Sequence, residues 1–422
     1  MTPRDLLIGS FHAAVTAVRA EAVLPAYLPP PGQGHLLVVG AGKAAAAMAA
    51  CVETHLHNAE LSGLVITRHG HAVPTRQIEV AQAGHPLPDA AGQAAARRLL
   101  DLVRAAHPDQ AVLALLSGGG SSLLSVPVKG VSLADLRQVG QALLTSGAAI
   151  SEINTVRKHL AQTLGGRLAA ACPAQVRALL ISDVAGDDPA VIASGPFAPD
   201  ASTYADALDV LARWQVAAPA CVQSHLRAGA AGMIAETPKP GAACFARVEH
   251  HIVANGRSAL LAAAEYFRSR GIRPLVLGDT YTGEAREVAQ VFAGLAREIR
   301  RHGNPWPTPV VLLSGGETSV TVKQPGRGGR NAEFLLALAL ALDGLDNVHA
   351  LAADTDGIDG SENNAGAVIG PDTLARAVSL GVAARACLAG HDSYAFFSAL
   401  GDLVNTGPTL TNVNDFRAIL IP

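Results

Sequence analysis

Apolar runs of four to six residues rich in Val, Ile and Leu alternate along the chain with longer alanine-rich segments of helical character. That alternation predicts βαβ units and a mostly parallel sheet, an α/β fold. The expected strands are 36–40, 64–68, 112–117, 176–183, 250–255, 274–279, 310–314 and 348–354. Most are continuously apolar, as in strands covered by helices on both faces. Helix starts stand where Asp89, Ser132 and Asn255 precede helical segments, since each side chain can accept from the first free amides.

The clearest break is Glu236-Thr-Pro-Lys-Pro-Gly241, with no apolar side chain, after which strands resume. It predicts an amino-terminal domain over 1–240 and a carboxyl-terminal domain over 241–422. A shorter break, Pro29-Pro-Pro-Gly-Gln-Gly34, separates a first helix from the first strand.

Composition narrows the partners. With 32 basic and 35 acidic side chains and no run of like charge, neither a nucleic-acid surface nor a membrane patch is indicated, so a small molecule is expected. Five scattered cysteines without a Cys-x-x-Cys pair argue against disulfide or zinc frameworks, and a reducing cytoplasm fits. No apolar stretch reaches the roughly 20 residues of a membrane span.

The chemistry concentrates in glycine-rich and acidic segments. Gly40-Ala-Gly42-Lys43-Ala-Ala45 lies between a strand and a helix and satisfies the dinucleotide pattern G-x-G-x-x-A. The next strand ends in Thr67-Arg68-His69, with no acid for a ribose, so NADP is the only dinucleotide it would suit. Lys43, at the first turn of a helix, reads equally as an anion ligand or as a solvated side chain. Ser117-Gly118-Gly119-Gly120-Ser121-Ser122 follows another strand and can aim several amides at an anion, or simply turn the chain. It is echoed by Ser314-Gly315-Gly316-Glu317, which with Arg327 and Arg330 reads as a strand ending in a flexible phosphoryl-transfer loop.

Asp183, Asp187 and Asp188 stand within six residues, and Asp354, Asp356 and Asp359 within another six. Carboxylates so close repel unless a cation such as Mg²⁺ or a basic ligand joins them, although Asx-turns and helix caps explain some of them equally well. An EF-hand is excluded, because Ala365 holds the twelfth position. Asn154, Arg157 and Lys158 share one helical turn and can meet a substrate carboxylate or form salt bridges on the helix face. No G-x-S-x-G nucleophile elbow occurs.

These segments, with Ala83-Gly-His-Pro-Leu-Pro-Asp89, Ala193-Ser-Gly-Pro196, Gly328-Gly-Arg-Asn-Ala-Glu333 and Thr411-Asn-Val-Asn-Asp415, resemble the class II glycerate kinases. These are the glycerate 2-kinases with a carboxyl-terminal MOFRL domain. The resemblance runs from position 39 to position 415. It implies a larger Rossmann-like three-layer domain and a smaller α/β domain, with the active site in the cleft between them. It implies transfer of the ATP γ-phosphoryl group to D-glycerate with Mg²⁺, most simply at the 2-hydroxyl, and Lys43 and Arg330 as the catalytic pair. The metal would sit on the two aspartate loops, with Asp183 or Asp187 accepting the hydroxyl proton. Arg327 stands where the family more often has lysine. Oligomeric state stays open, a homodimer included. The alternatives are an NADP-dependent hydroxypyruvate reductase, suggested by the Gly40 fingerprint, and a non-catalytic sensor of sugar acids or nucleotides.

Overall fold

The computed structural model describes residues 1–30, 35–324 and 326–422, so residues 31–34 of the expected break at Pro29 lie outside the described residues. Two compact units emerge: Val23–Val253, and Met1–Ala22 together with Ala254–Pro422. This division differs from the one expected at 240/241. The Pro/Gly segment is pinned to the first unit by the buried Asp200, which accepts from the Thr237 hydroxyl at 2.9 Å and whose amide donates to the Pro238 carbonyl at 3.0 Å.

The first unit holds β1 (His35–Ala41), β2 (Glu60–Arg68), β3 (Glu79–Ala83), β4 (Ala111–Ser117), β5 (Gln175–Ile181) and β6 (Val248–Ala254), ordered β3-β2-β1-β4-β5-β6. Pairings of β1 with β2 and β4, of β2 with β3, and of β4 with β5 are parallel. Both faces of the sheet are covered. Leu37 and Val39 point into one layer and Leu36 and Val38 into the other, all of them buried. The sequence Glu79-Val-Ala-Gln-Ala83 is too polar to predict a strand. It is held there because the buried Glu53 accepts the amides of Arg76, Gln77 and Ile78 at 2.6–2.7 Å. The expected helix starts are present: Asp89 accepts from Gly92, Ser132 from Asp135 and Asn255 from Ser258.

In the second unit β7 (Arg273–Glu284), β8 (Val310–Ser319), β9 (His349–Asp354), β10 (Gly366–Ile369), β11 (Leu403–Val404) and β12 (Asp415–Ile421) are ordered β11-β10-β9-β12-β8-β7. Only β7 and β8 are parallel; β12 runs antiparallel to both β8 and β9. The expectation of a mostly parallel sheet therefore fails here. β12 is not among the expected strands, because Asp415 and Arg417 interrupt its apolar residues; every residue of it is nevertheless buried, the two charges paired with each other at 2.5 Å. Helix Pro3–Ala17 packs on helix Gly256–Arg268 at Gly9, where a Cβ would stand 2.0 Å from the Tyr266 hydroxyl.

Candidate active site

In the first unit the strand order reverses between β1 and β4, and a doubly wound sheet opens a ligand crevice at the carboxyl ends of such strands. Both glycine-rich segments end there. The Lys43 amide donates to the Gly118 carbonyl at 2.9 Å, and the Ala44 amide to the Ser117 hydroxyl at 3.0 Å, so the two turns are laced together. Gly42 has φ +141°, and a Cβ there would stand 2.1 Å from the Ser117 hydroxyl oxygen. At Gly40 a Cβ would meet the Leu115 carbonyl at 2.2 Å. The fingerprint glycines are thus required by contact with the neighbouring strand and turn, leaving no demand for a pyrophosphate to explain them.

Gly119 is left-handed at φ +83° and opens the short helix Gly120–Leu123. Its missing Cβ would lie 3.4 Å from the Lys43 Cγ and 3.0 Å from the His85 ring, so both side chains lie over this turn. Ser121 accepts from the Ser194 hydroxyl at 2.8 Å, and Ser122 donates to the Gly119 carbonyl at 3.2 Å. Ala193 and Ser194 hold positive φ without being glycine, a strained turn of the kind that clusters at functional sites. Neither His85 nor Ser194 is among the expected site residues, although both lie within motifs that carry the family resemblance, Ala83-Gly-His-Pro-Leu-Pro-Asp89 and Ala193-Ser-Gly-Pro196.

Helix Ile150–Leu160 sorts the expected substrate ligands. Lys158 is buried and donates to Asp200 at 3.3 Å, an internal ion pair. Asn154 is buried with no partner for its Oδ1 among the described residues. Arg157 lines a pocket with Ser122, Ser125, Leu136 and Leu143. Burial pulls the pKa of its guanidinium below the usual value, with no carboxylate opposing the shift.

Of the acidic loop after β5, Asp188 accepts from the Ala190 amide at 2.8 Å, and Asp187 sits at φ +56° in the same turn. Asx-turn chemistry therefore accounts for part of this cluster.

In the second unit the expected loop at Ser314 is strand. β8 continues to Ser319, with Gly315 and Gly316 paired to β12 and Gly316 also to β7. The echo of the Ser117 turn is sequence likeness only. Gly316, at φ +109°, lets β7 approach, since a Cβ there would stand 2.2 Å from the Tyr281 carbonyl. Arg327 lies away from this strand's ionic cluster, its guanidinium 5.2 Å over the Tyr394 ring.

Arg330 opens helix Arg330–Leu342 and donates through Nε to Asp415 at 2.7 Å, through Nη1 to Glu317 at 2.9 Å and through Nη2 to Asp354 at 2.9 Å. Burial opposes its charge, but Asp415, Asp354 and Glu317 hold its pKa well above the usual guanidinium value. Asp415 also receives Asn331 Nδ2 at 2.8 Å and, at 2.5 Å, the fully buried Arg417. Burial would push Asp415 up, yet Arg330 and Arg417 bring it below the usual carboxylate range. Asp359 accepts the amides of Asn331 and Ala332, capping the helix, and burial pushes its carboxyl up to about 6.

Of the carboxylates expected to hold Mg²⁺, Asp354 ends β9 and Asp356 lies in the turn after it. Asp354 accepts Arg330 and the Asp356 amide, and Asp356 accepts the Ile358 amide, so hydrogen bonds within the fold already engage both carboxylates. Among the described residues no group of three His, Cys, Asp or Glu side chains could hold an ion.

Residues 6–227 match a domain of unknown function, DUF4147, and residues 310–415 match the MOFRL family. An Agrobacterium vitis protein provisionally named hydroxypyruvate reductase is 50% identical, over 100% of this chain and 95% of its own. A Thermotoga maritima protein named D-glycerate 2-kinase is 38% identical, over 99% of this chain and 98% of its own. The crystal structure of a Thermotoga maritima glycerate kinase superposes with a TM-score of 0.87, covering 99% of each chain at 38% identity. That of a Pyrococcus horikoshii protein does so at 0.81, covering 100% of this chain and 99% of the other at 32% identity.

Proposed function

The chain belongs to the family that joins DUF4147 to MOFRL and includes proteins named glycerate kinase, and on that premise we propose that it phosphorylates D-glycerate at the 2-hydroxyl with MgATP. The observation that carries this reading is Lys43 lying over the Gly119 turn at the sheet's switch point, where the fingerprint glycines are consumed by strand packing. A fixed cation beside an amide-rich turn suits a phosphate. In the proposed step the glycerate O2 attacks the γ-phosphorus, the bond from phosphorus to the β,γ-bridging oxygen breaks, and ADP leaves. Lys43 and Arg330 offset charge on the equatorial oxygens, the task that dominates phosphoryl transfer. Asp183 or Asp187, following β5, accepts the hydroxyl proton. Arg157 takes the substrate carboxylate, for which its donors and the lack of a counter-ion among the described residues suit it. Mg²⁺ enters with ATP as part of the substrate.

The name carried by the 50% identical relative favours a second reading, reduction of hydroxypyruvate by NADPH. One pair of assays separates them: ADP release from ATP, Mg²⁺ and D-glycerate, and NADPH oxidation with hydroxypyruvate. The second without the first overturns the kinase reading. Adding enolase without a mutase tests the position, since phosphoenolpyruvate forms directly only from 2-phosphoglycerate.

A further inference from the structure

The three carboxylates around Arg330 are not equivalent. The Asp415 side chain is 0% exposed and that of Asp354 6%, whereas that of Glu317 is 52% exposed. Asp415 is fixed from behind by Asn331 Nδ2, Arg417 and the Thr318 amide, and Asp354 accepts the Asp356 amide. The Glu317 carboxylate has Arg330 as its one hydrogen-bonding partner among the described residues. Locally, Arg330 and Arg417 face Glu317, Asp354, Asp359 and Asp415, an excess of carboxylates that opposes entry of any anion.

We propose that Asp415 and Asp354 are positioning residues that clamp Arg330 by Nε and Nη2, and that Glu317 is a displaceable counter-ion occupying Nη1, the donor that meets a phosphate oxygen. This rests on the reading that Arg330 meets phosphate. Swinging Glu317 away gives up a single, half-exposed ion pair, the weakest class of such contacts, and removes a like charge from the incoming anion's path. Moving Asp415 would strand Arg417 in the core. The fork is therefore held in place while one donor exchanges partners. The sequence placed Glu317 among the phosphate ligands; the structure assigns it the opposite sense, a competitor of phosphate.

Titration calorimetry of the full chain with inorganic tripolyphosphate tests this without turnover. Glu317→Gln should bind about three- to tenfold tighter than wild type, and Arg330→Ala more weakly. Equal or weaker binding by Glu317→Gln, with loss in Arg330→Ala, overturns the counter-ion role and leaves Arg330's role standing. Unchanged binding in Arg330→Ala removes the phosphate reading of Arg330 and this inference with it. For the clamp, Asp415→Asn, its folded state verified by circular dichroism, should lower kcat at least tenfold without raising the KM for ATP. A raised KM with kcat preserved would overturn the clamp.

Discussion

Arg157 lies half-buried in a wall formed by Leu136, Leu143, Val156 and Leu160, with no acidic partner among the described residues, and replacing it by methionine should separate stability from function. A desolvated charge with no counter-ion opposes folding, and exchanging buried ionic groups for apolar ones of similar volume is often stabilising. Discounted for the solvent the side chain still meets, the gain from Arg157→Met is about 1 kcal/mol, the low end of what exchanging a buried charge for an apolar group yields. If the guanidinium holds the substrate carboxylate through paired, charge-assisted bonds, its loss costs about 3 kcal/mol of binding, roughly a hundredfold in the KM for glycerate. Urea unfolding gives the first quantity, and initial rates against glycerate at saturating ATP give the second. A variant that is less stable yet keeps its KM would refute the reasoning, because it would mean that Arg157 supports the fold and ignores the substrate.

Lys43→Ala should lower turnover about a hundredfold, the scale of losing one transition-state donor, with its circular dichroism unchanged; near-normal turnover would take Lys43 out of the mechanism. Gly42→Ala should destabilise the first unit by about 2 kcal/mol or more, since the methyl would stand 2.1 Å from the Ser117 hydroxyl oxygen at a φ suited to glycine. An unaltered unfolding midpoint would contradict the packing account of that glycine. Asp359 has a folded pKa near 6 against an ordinary 3.8, so folding takes up a proton between those values. Its contribution is full below about pH 4 and is lost as pH rises through 6, by about 3 kcal/mol. Asp359→Asn should remove that slope from the stability profile, and a profile parallel to wild type would count against the assignment.

The fold class was legible because βαβ periodicity and helix caps are local properties. Ser132 and Asp89 announce their helices in the chain and cap them in the structure. β3 was not legible, because it is anchored by Glu53, a residue distant in sequence. Nor was β12, because Asp415 and Arg417 break its apolar pattern and are tolerated in a buried strand only through ionic partners, one of them Arg330 far away in sequence. Sequence named Arg330 and Glu317, but the clamp around Arg330 depends on Asp415, 85 positions away. Its signal is the acid that ends Thr411-Asn-Val-Asn-Asp415, which nothing in the neighbouring sequence links to Arg330.

By itself, then, the sequence determined the alternation of elements, the glycine turn at Ser117 and the family likeness, because each is written in neighbouring residues. Tertiary structure decided what the charged groups face. It left Arg157 without a counter-ion among the described residues, tied Lys158 to Asp200, extended β8 through the segment expected to be a loop and set three carboxylates on one guanidinium. Charge and hydrogen-bond partners are fixed by distances across the fold, which spacing along the chain does not encode.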